Sequence, residues 1–346
     1  MRLSSFAPLL VAASAVLLLV PQPLRGAAVE PTPLEVVDLH VDLSYQANYK
    51  HRAFAAGSGQ YPAAALRRAG VRGVVLPLYI PRDVSPSGPR ARDLEASYAR
   101  VFGLLGRTEP YALPGCSARP GAVSTWLSFE GAAPLAADPD AVSGWVARGV
   151  RLFGLVHSYD NALASSSGAR GGASFGLTDA GRRVVERIHA AGGIVDVSHA
   201  SDRATMEIVR MAIAAKRPVV ASHSNARRLA AHPRNLDDEQ LRAIARTGGL
   251  VGVNFHSPFL ARGRAATLDD VVRHVRYLVR LIGAEHVAVG SDFEGDIRPP
   301  PELAEVTGYQ RLARALLARD VGLTRAEVEA ILAQNALRLL CGAERR

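Results

Sequence analysis

Seven ionisable side chains stand where short apolar runs stop: His40, Asp42, Glu130, His157, His199, His223 and Asp292. The most telling stretch runs from Gly192 to Asn235, where two β-branched runs, GGIVDVSH and RPVVASHS, each end in Ser-His with an amphipathic segment between them. Parallel strands buried on both faces read as continuous apolar runs, so the polar residue that ends each run marks a strand's C-terminal end. His199 and His223 should then sit side by side on one rim of a sheet, which is the beginning of a metal site. His40 and Asp42 form a second pair, because side chains on a strand repeat every two residues. A local His–Asp hydrogen bond would explain that pair alone, and a core histidine would explain either His199 or His223 alone. Taken jointly, the residues point to two cations, His40 and Asp42 on one and His199 and His223 on the other. Two cations need a bridging anion. A carboxylated lysine at the end of the fourth strand could serve, but that strand ends in His157, and Lys50 and Lys216, the only lysines, fall at no strand's C-terminal end. Glu130 is therefore the expected bridge. Mixed imidazole and carboxylate ligands favour zinc, and Mn²⁺ or Co²⁺ suits the same set.

The elements that must position these residues alternate. Strand-like runs fall at Val36–Asp42, Val71–Ile80, Ser124–Gly131, Val150–His157, Gly192–His199, Arg217–Ser224, Gly248–Phe255 and His286–Phe293. Between them lie helical patterns, among them TDAGRRVVERIHAAG with Thr178 as N-cap and TLDDVVRHVRYLVRLIG with Thr267 as N-cap. Eight strand–helix repeats predict a closed (β/α)8 TIM barrel, whose active sites form at the C-terminal ends of the strands. An open doubly wound sheet would need a Gly-rich nucleotide loop after the first strand, and DLHVDLSY has none.

The 346 residues are 48% hydrophobic and 21% charged, enough for one barrel-sized core. Phe6–Val20 is an apolar run followed by small residues at Gly26, Ala27 and Ala28. It reads as a signal peptide occupying residues 1–28, with the barrel over 29–346. A membrane span usually needs about 18 apolar residues. The run is shorter, no cysteine follows it, and the C-terminus NALRLLCGAERR carries no hydrophobic tail. A periplasmic or secreted protein without stable membrane insertion is expected. Removing Arg2 and Arg25 from the 41 basic residues leaves 39 against 32 acidic ones, a net charge of +7. The arginines scatter along helix faces with almost no aromatic interleaving, which argues against nucleic-acid binding. Cys116 and Cys341 are too far apart for a metal-binding CxxC pattern. Export permits a disulfide between them, and two free thiols fit the sequence equally well.

The motifs together resemble the membrane dipeptidases, also called renal or microsomal dipeptidases. The likeness runs from DLHVDL through LRRAGVRGVVLPLY, SFEGAAPL, GVRLFGLVHSYDN, GLTDAGRRVVERIHAAGGIVDVSHAS and PVVASHSNARRLAAHPRN to HVAVGSDFEG and NALRLL. The resemblance implies a binuclear zinc barrel that hydrolyses dipeptides, tolerates a C-terminal D-residue and uses a hydroxide shared by the two metals. It implies that His40, Asp42 and Glu130 hold one zinc, and Glu130, His199 and His223 the other. By the same resemblance His157 contacts the substrate carbonyl, Arg234 holds its carboxylate and Asp292 transfers the proton. A homodimer is common in the family, and nothing in this sequence requires one.

Tyr45, Tyr49 and Tyr79 follow the first two strands and could line side-chain pockets or pack. The Gly/Ser-rich run Ser165–Gly176 reads as a mobile loop near the mouth, since no P-loop lysine follows it. Of the remaining histidines, His256 follows the seventh strand on the same rim. A zinc amidohydrolase for N-acyl amino acids keeps the same site, and the sequence barely separates it from a dipeptidase; a further reading is an inactive metal-binding barrel used as a binding module. The latter has no use for His157, Arg234 and Asp292 together.

Overall fold

The computed structural model describes residues 32–82, 85, 88–117, 119–168 and 175–342. The expected signal peptide and its cleavage point lie outside them, as does the centre of the Gly/Ser-rich run. Residues from Pro33 onward form one compact unit. Its strands are β1 (Val36–Asp38), β2 (Val71–Leu78), β3 (Tyr111–Pro114), β4 (Val123–Glu130), β5 (Val150–Gly154), β6 (Ile194–Asp196), β7 (Val219–Ala221), β8 (Leu250–Val253) and β9 (Val287–Val289). All pair in parallel in the order β2-β1-β9-β8-β7-β6-β5-β4-β3. A further pairing of β2 with β4, in register from Gly73↔Ser124 to Leu78↔Phe129, closes eight of them into a ring. The chain is a (β/α)8 barrel. The added strand β3, absent from the sequence reading, lies outside the ring against β4.

Every barrel strand sends an apolar side chain to the interior, including Val37, Val75, Trp126, Leu152, Ile194 and Val220, all at most 2% exposed. The C-terminal helical segment packs Ala333, Ala336, Leu339 and Leu340 into the same cluster. Asn335 fastens it by donating from Nδ2 to the carbonyls of Ala284 (2.8 Å) and Val287 (2.9 Å). Cys116 and Cys341 form a disulfide across 225 residues, which settles the two alternatives the sequence left open. The helices cover the outside. Thr178 caps Asp179–Ala191 by accepting from the Gly181 N–H, and Thr267 shares a capping box with Asp270 at Leu268–Ile282, as their sequence positions predict. No helix among the described residues is long and apolar enough to cross a membrane.

The strands are shorter than the apolar runs suggested. β1 ends at Asp38, so His40 and Asp42 lie beyond it, and Asp42 is the N-cap of helix Leu43–Tyr49. The two side chains still converge, but a turn places them rather than strand alternation. His199 and Asp292 stand three residues past β6 and β9, with φ of 70° and 66°. Left-handed backbone costs a non-glycine residue about 1–2 kcal/mol. Such conformations concentrate at functional sites, where the surrounding structure holds them.

Candidate metal centre and substrate pocket

Glu130, the last residue of β4, is the hub of the mouth. Its Oε1 lies 3.0 Å from His199 Nε2, 3.6 Å from both His40 Nε2 and His223 Nε2, and 3.7 Å from His157 Nε2. His199 and His223 approach Nε2 to Nε2 at 3.0 Å. On the other side of Glu130, Asp42 Oδ2 is 3.4 Å from His40 Nε2. Both ligand groups expected from the sequence are thus assembled. Compact donor triads also include His40, Glu130 and His223; Glu130, His157 and His199; and His40, Asp42 and Asp292. His40, Asp42, Glu130, His199 and His223 are all buried, whereas His157 and Asp292 are partly exposed.

Burial pushes the carboxyls of Glu130 and Asp42 up to about 8 each. Burial and the neighbouring Asp42 charge push Asp292 up to about 7. The imidazoles move the other way: desolvation lowers His157 to about 3 and holds His199 and His223 well below the usual value. Neutral imidazoles are the form that ligates metal, and carboxylates crowded in a dry pocket need a cation to carry their charge. His40 has no hydrogen-bond partner on either ring nitrogen, nor His199 on Nδ1, among the described residues. These orphaned nitrogens and unneutralised carboxylates fit bound metal.

The cluster opens into a cavity of about 270 Å³ lined by Tyr45, Tyr79, His157, Arg234, His256, Phe259, Asp292 and Asp296 among others. Tyr45 and Tyr79 therefore face the site, as does His256, while Tyr49 packs against the apolar core. Arg234 is buried, its Nη2 3.4 Å from the His223 carbonyl and its guanidinium 5.6 Å from the Phe259 ring centroid. Tyr79, Glu130 and His157 also border a second cavity of about 430 Å³, which continues past Tyr159. At the base of the Gly/Ser-rich run, Ser167 donates its N–H to the His199 carbonyl at 2.8 Å. Residues 169–174 of that run lie outside the described residues.

Several residues that support this cluster were not singled out by the sequence reading. Asp38 accepts the N–H groups of His40 and Ser291, each at 3.0 Å, and the Tyr309 hydroxyl. Asp196 plays the same part at the end of β6, accepting the N–H groups of Ser198 and Ser222 at 3.0 Å each. Asn254, just past β8, donates from Nδ2 to Asp292 Oδ2 at 2.9 Å. A signal for the two aspartates was present: each ends an apolar strand run, VVD or IVD, where a carboxylate is costly unless it is paired. Gly295 presses on two site carboxylates, and a Cβ there would stand 2.6 Å from Asp42 Oδ2 and 2.7 Å from Asp292 Oδ1.

A closed parallel barrel with imidazoles and carboxylates packed at its C-terminal mouth defines a metal-dependent hydrolase. Residues 32–346 match the family model for membrane dipeptidase (peptidase family M19). The chain belongs to that family, which places it among the metallo-dipeptidases. A Klebsiella pneumoniae protein encoded in the pqqA 5′ region is 39% identical over 220 residues, covering 61% of this chain and 79% of that protein. The Aspergillus oryzae dipeptidase AclJ is 32% identical over 226 residues, or 64% of this chain; the match spans only 52% of that longer relative. Among solved structures, a Rhodobacter sphaeroides metallopeptidase bound to a phosphinate mimic of the dipeptide L-Ala-D-Ala superimposes with a TM-score of 0.77. It is 26% identical, and the match covers 89% of this chain and 99% of that one.

Proposed function

We propose that the chain is an exported binuclear zinc dipeptidase that cleaves the peptide bond of dipeptides, including those with a C-terminal D-residue. The convergence of four imidazoles on Glu130 Oε1, with Arg234 and Asp292 on the wall of the same cavity, carries this reading. His40, Asp42 and Glu130 would hold one zinc, and Glu130, His199 and His223 the other. When bound, the metals supply Lewis acidity and a nucleophile at neutral pH.

The remaining chemistry belongs to side chains. Asp292, pushed up to about 7, is poised near neutrality to take a proton on its carboxylate and return it to the leaving amine. Asn254 holds that carboxylate by its Oδ2. His157 stays neutral and can donate from Nε2 to the oxygen of the scissile carbonyl as charge develops there. Arg234 presents a planar fork that matches a free carboxylate. The fork and the imidazole cluster border one cavity of about 270 Å³, an arrangement that suits a short substrate with its free carboxylate close to the scissile bond. Asp296 lies on the same wall, with the Tyr45 hydroxyl 3.2 Å from its Oδ2. Its Oδ2 is also paired with Lys50 Nζ at 3.1 Å, so this corner of the pocket is already charge-balanced. The phosphinate bound to the Rhodobacter enzyme supports tolerance of a D-residue. The apolar run Phe6–Val20 supports export.

A panel of L-L dipeptides, L-D dipeptides, tripeptides and N-acetyl amino acids, offered to the zinc-loaded protein and to Arg234→Lys, tests the proposal. Dipeptides should be cleaved and tripeptides spared, with KM for dipeptides raised about tenfold or more in the variant. Preferred turnover of N-acetyl compounds would replace the substrate. No turnover by a protein holding two metals would leave a binding module. Sequencing the N-terminus of the protein recovered from the periplasm or medium tests export and the cut after Ala28.

A further inference from the structure

Of the three buried imidazoles in the cluster, His223 alone has its far ring nitrogen engaged. Ser222 Oγ lies 2.8 Å from His223 Nδ1, whereas Nδ1 of His40 and of His199 has no partner among the described residues. The same hydroxyl meets Asp196 Oδ2. Asp196 ends β6, and its Oδ1 already accepts two backbone N–H groups, those of Ser198 and Ser222. With Oδ1 taken by two N–H donors and Oδ2 facing the hydroxyl, the single Ser222 hydrogen points to Asp196 Oδ2. The Ser222 oxygen is then left to accept from His223, which fixes the ring with its proton on Nδ1 and its lone pair on Nε2, facing Glu130 and His199.

The backbone is built to hold this arrangement. A Cβ on Gly252 or Gly290 would collide with the Ser222 carbonyl, so β8 and the residue just past β9 close onto Ser222 only because both positions are glycine. The His223 N–H donates to Ser198 Oγ at 3.0 Å, and its carbonyl receives Arg234 Nη2. Ser222, His223 and Asp196 are at most 5% exposed, so water does not compete for these bonds.

We infer that Asp196 and Ser222 form a relay that sets the His223 tautomer and orients its Nε2 as a metal donor, a positioning role for which His40 and His199 have no counterpart among the described residues. The inference rests on the metal reading given under Proposed function. Hydrogen-bond partners behind a metal-ligating imidazole typically contribute about 10–100-fold to metal affinity. The test is chelator-competition titration of zinc into the metal-stripped wild type, Ser222→Ala and Ser222→Thr, beside ¹H–¹⁵N spectra of the histidine rings and thermal melts. Ser222→Ala should weaken one of two zinc equivalents by about 10–100-fold and abolish the single Nδ1–H tautomer of His223. Ser222→Thr, which keeps the hydroxyl, should restore both. Unchanged zinc affinity in a folded Ser222→Ala, or a wild-type His223 protonated on Nε2, overturns the relay and leaves the metal centre standing. A wild type that takes up no zinc while its His223 is the Nδ1–H tautomer removes the metal reading, and only the tautomer assignment survives.

Discussion

The two ends of the barrel solve opposite problems with the same strands. At the C-terminal mouth, the chain crowds imidazoles and carboxylates together, adopts left-handed backbone at His199 and Asp292, and leaves ring nitrogens without hydrogen-bond partners among the described residues. At the base, the C-terminal helical segment plugs the interior with alanine and leucine and is stapled to the barrel by Cys116–Cys341. The mouth gives up stability for reactivity, and the base supplies stability without chemistry. Substitutions at the two ends should therefore move different observables.

Asp292→Asn should separate them most sharply. It keeps the shape and an acceptor for the Asn254 amide but loses the proton carrier, so kcat should fall by about 10²–10⁴-fold with a nearly unchanged melting temperature. A variant that retains more than a tenth of wild-type kcat would move proton transfer to another group. At the base, Leu340→Ala removes a fully buried side chain, and unfolding experiments should show a loss of about 2–5 kcal/mol. Its kcat and KM, measured well below the melting transition, should match wild type; a changed KM would mean that the plug reaches the mouth. Replacing Cys116 and Cys341 together by serine should lower stability by about 2–4 kcal/mol. The same double variant should keep its zinc affinity, and a measurable loss would couple the staple to the metal centre.

The smallest effect concerns the metal-stripped protein and pH. Glu130 and Asp42 have carboxyls raised to about 8, so their contribution is fully present below their unfolded values, near 4, and is lost as pH rises toward 8. His157, His199 and His223 are depressed, so their contribution is present above their ordinary value of 6.5 and lost below it. The two trends oppose each other between about pH 4 and 6.5, and above 6.5 only the carboxylate loss remains. The chelated protein should thus melt at a lower temperature at pH 8 than at pH 6.5, whereas zinc should reverse the slope because binding needs ionised carboxylates. A chelated protein whose melting temperature rises over that interval would show that the carboxylates ionise without metal.

Periodicity and residue type made much of this legible in advance. Strand–helix alternation, repeated eight times, dictates a closed barrel, and polar residues ending apolar runs place His40, Glu130, His157, His199, His223 and Asp292 on one rim. That follows because burial on both strand faces drives most polar side chains to the strand ends, and each of these residues stands where an apolar run stops. Sequence could not say that β1 stops at Asp38, because hydropathy does not mark where a strand hands over to a turn. Nor could it reveal that Asp196 and Ser222, 26 residues apart, meet behind His223, or that Cys116 reaches Cys341 across 225 residues. Local chemistry is written residue by residue. Partnership between distant groups exists only once β6 lies beside β7 and the C-terminal helix has entered the base, and tertiary packing alone decides both.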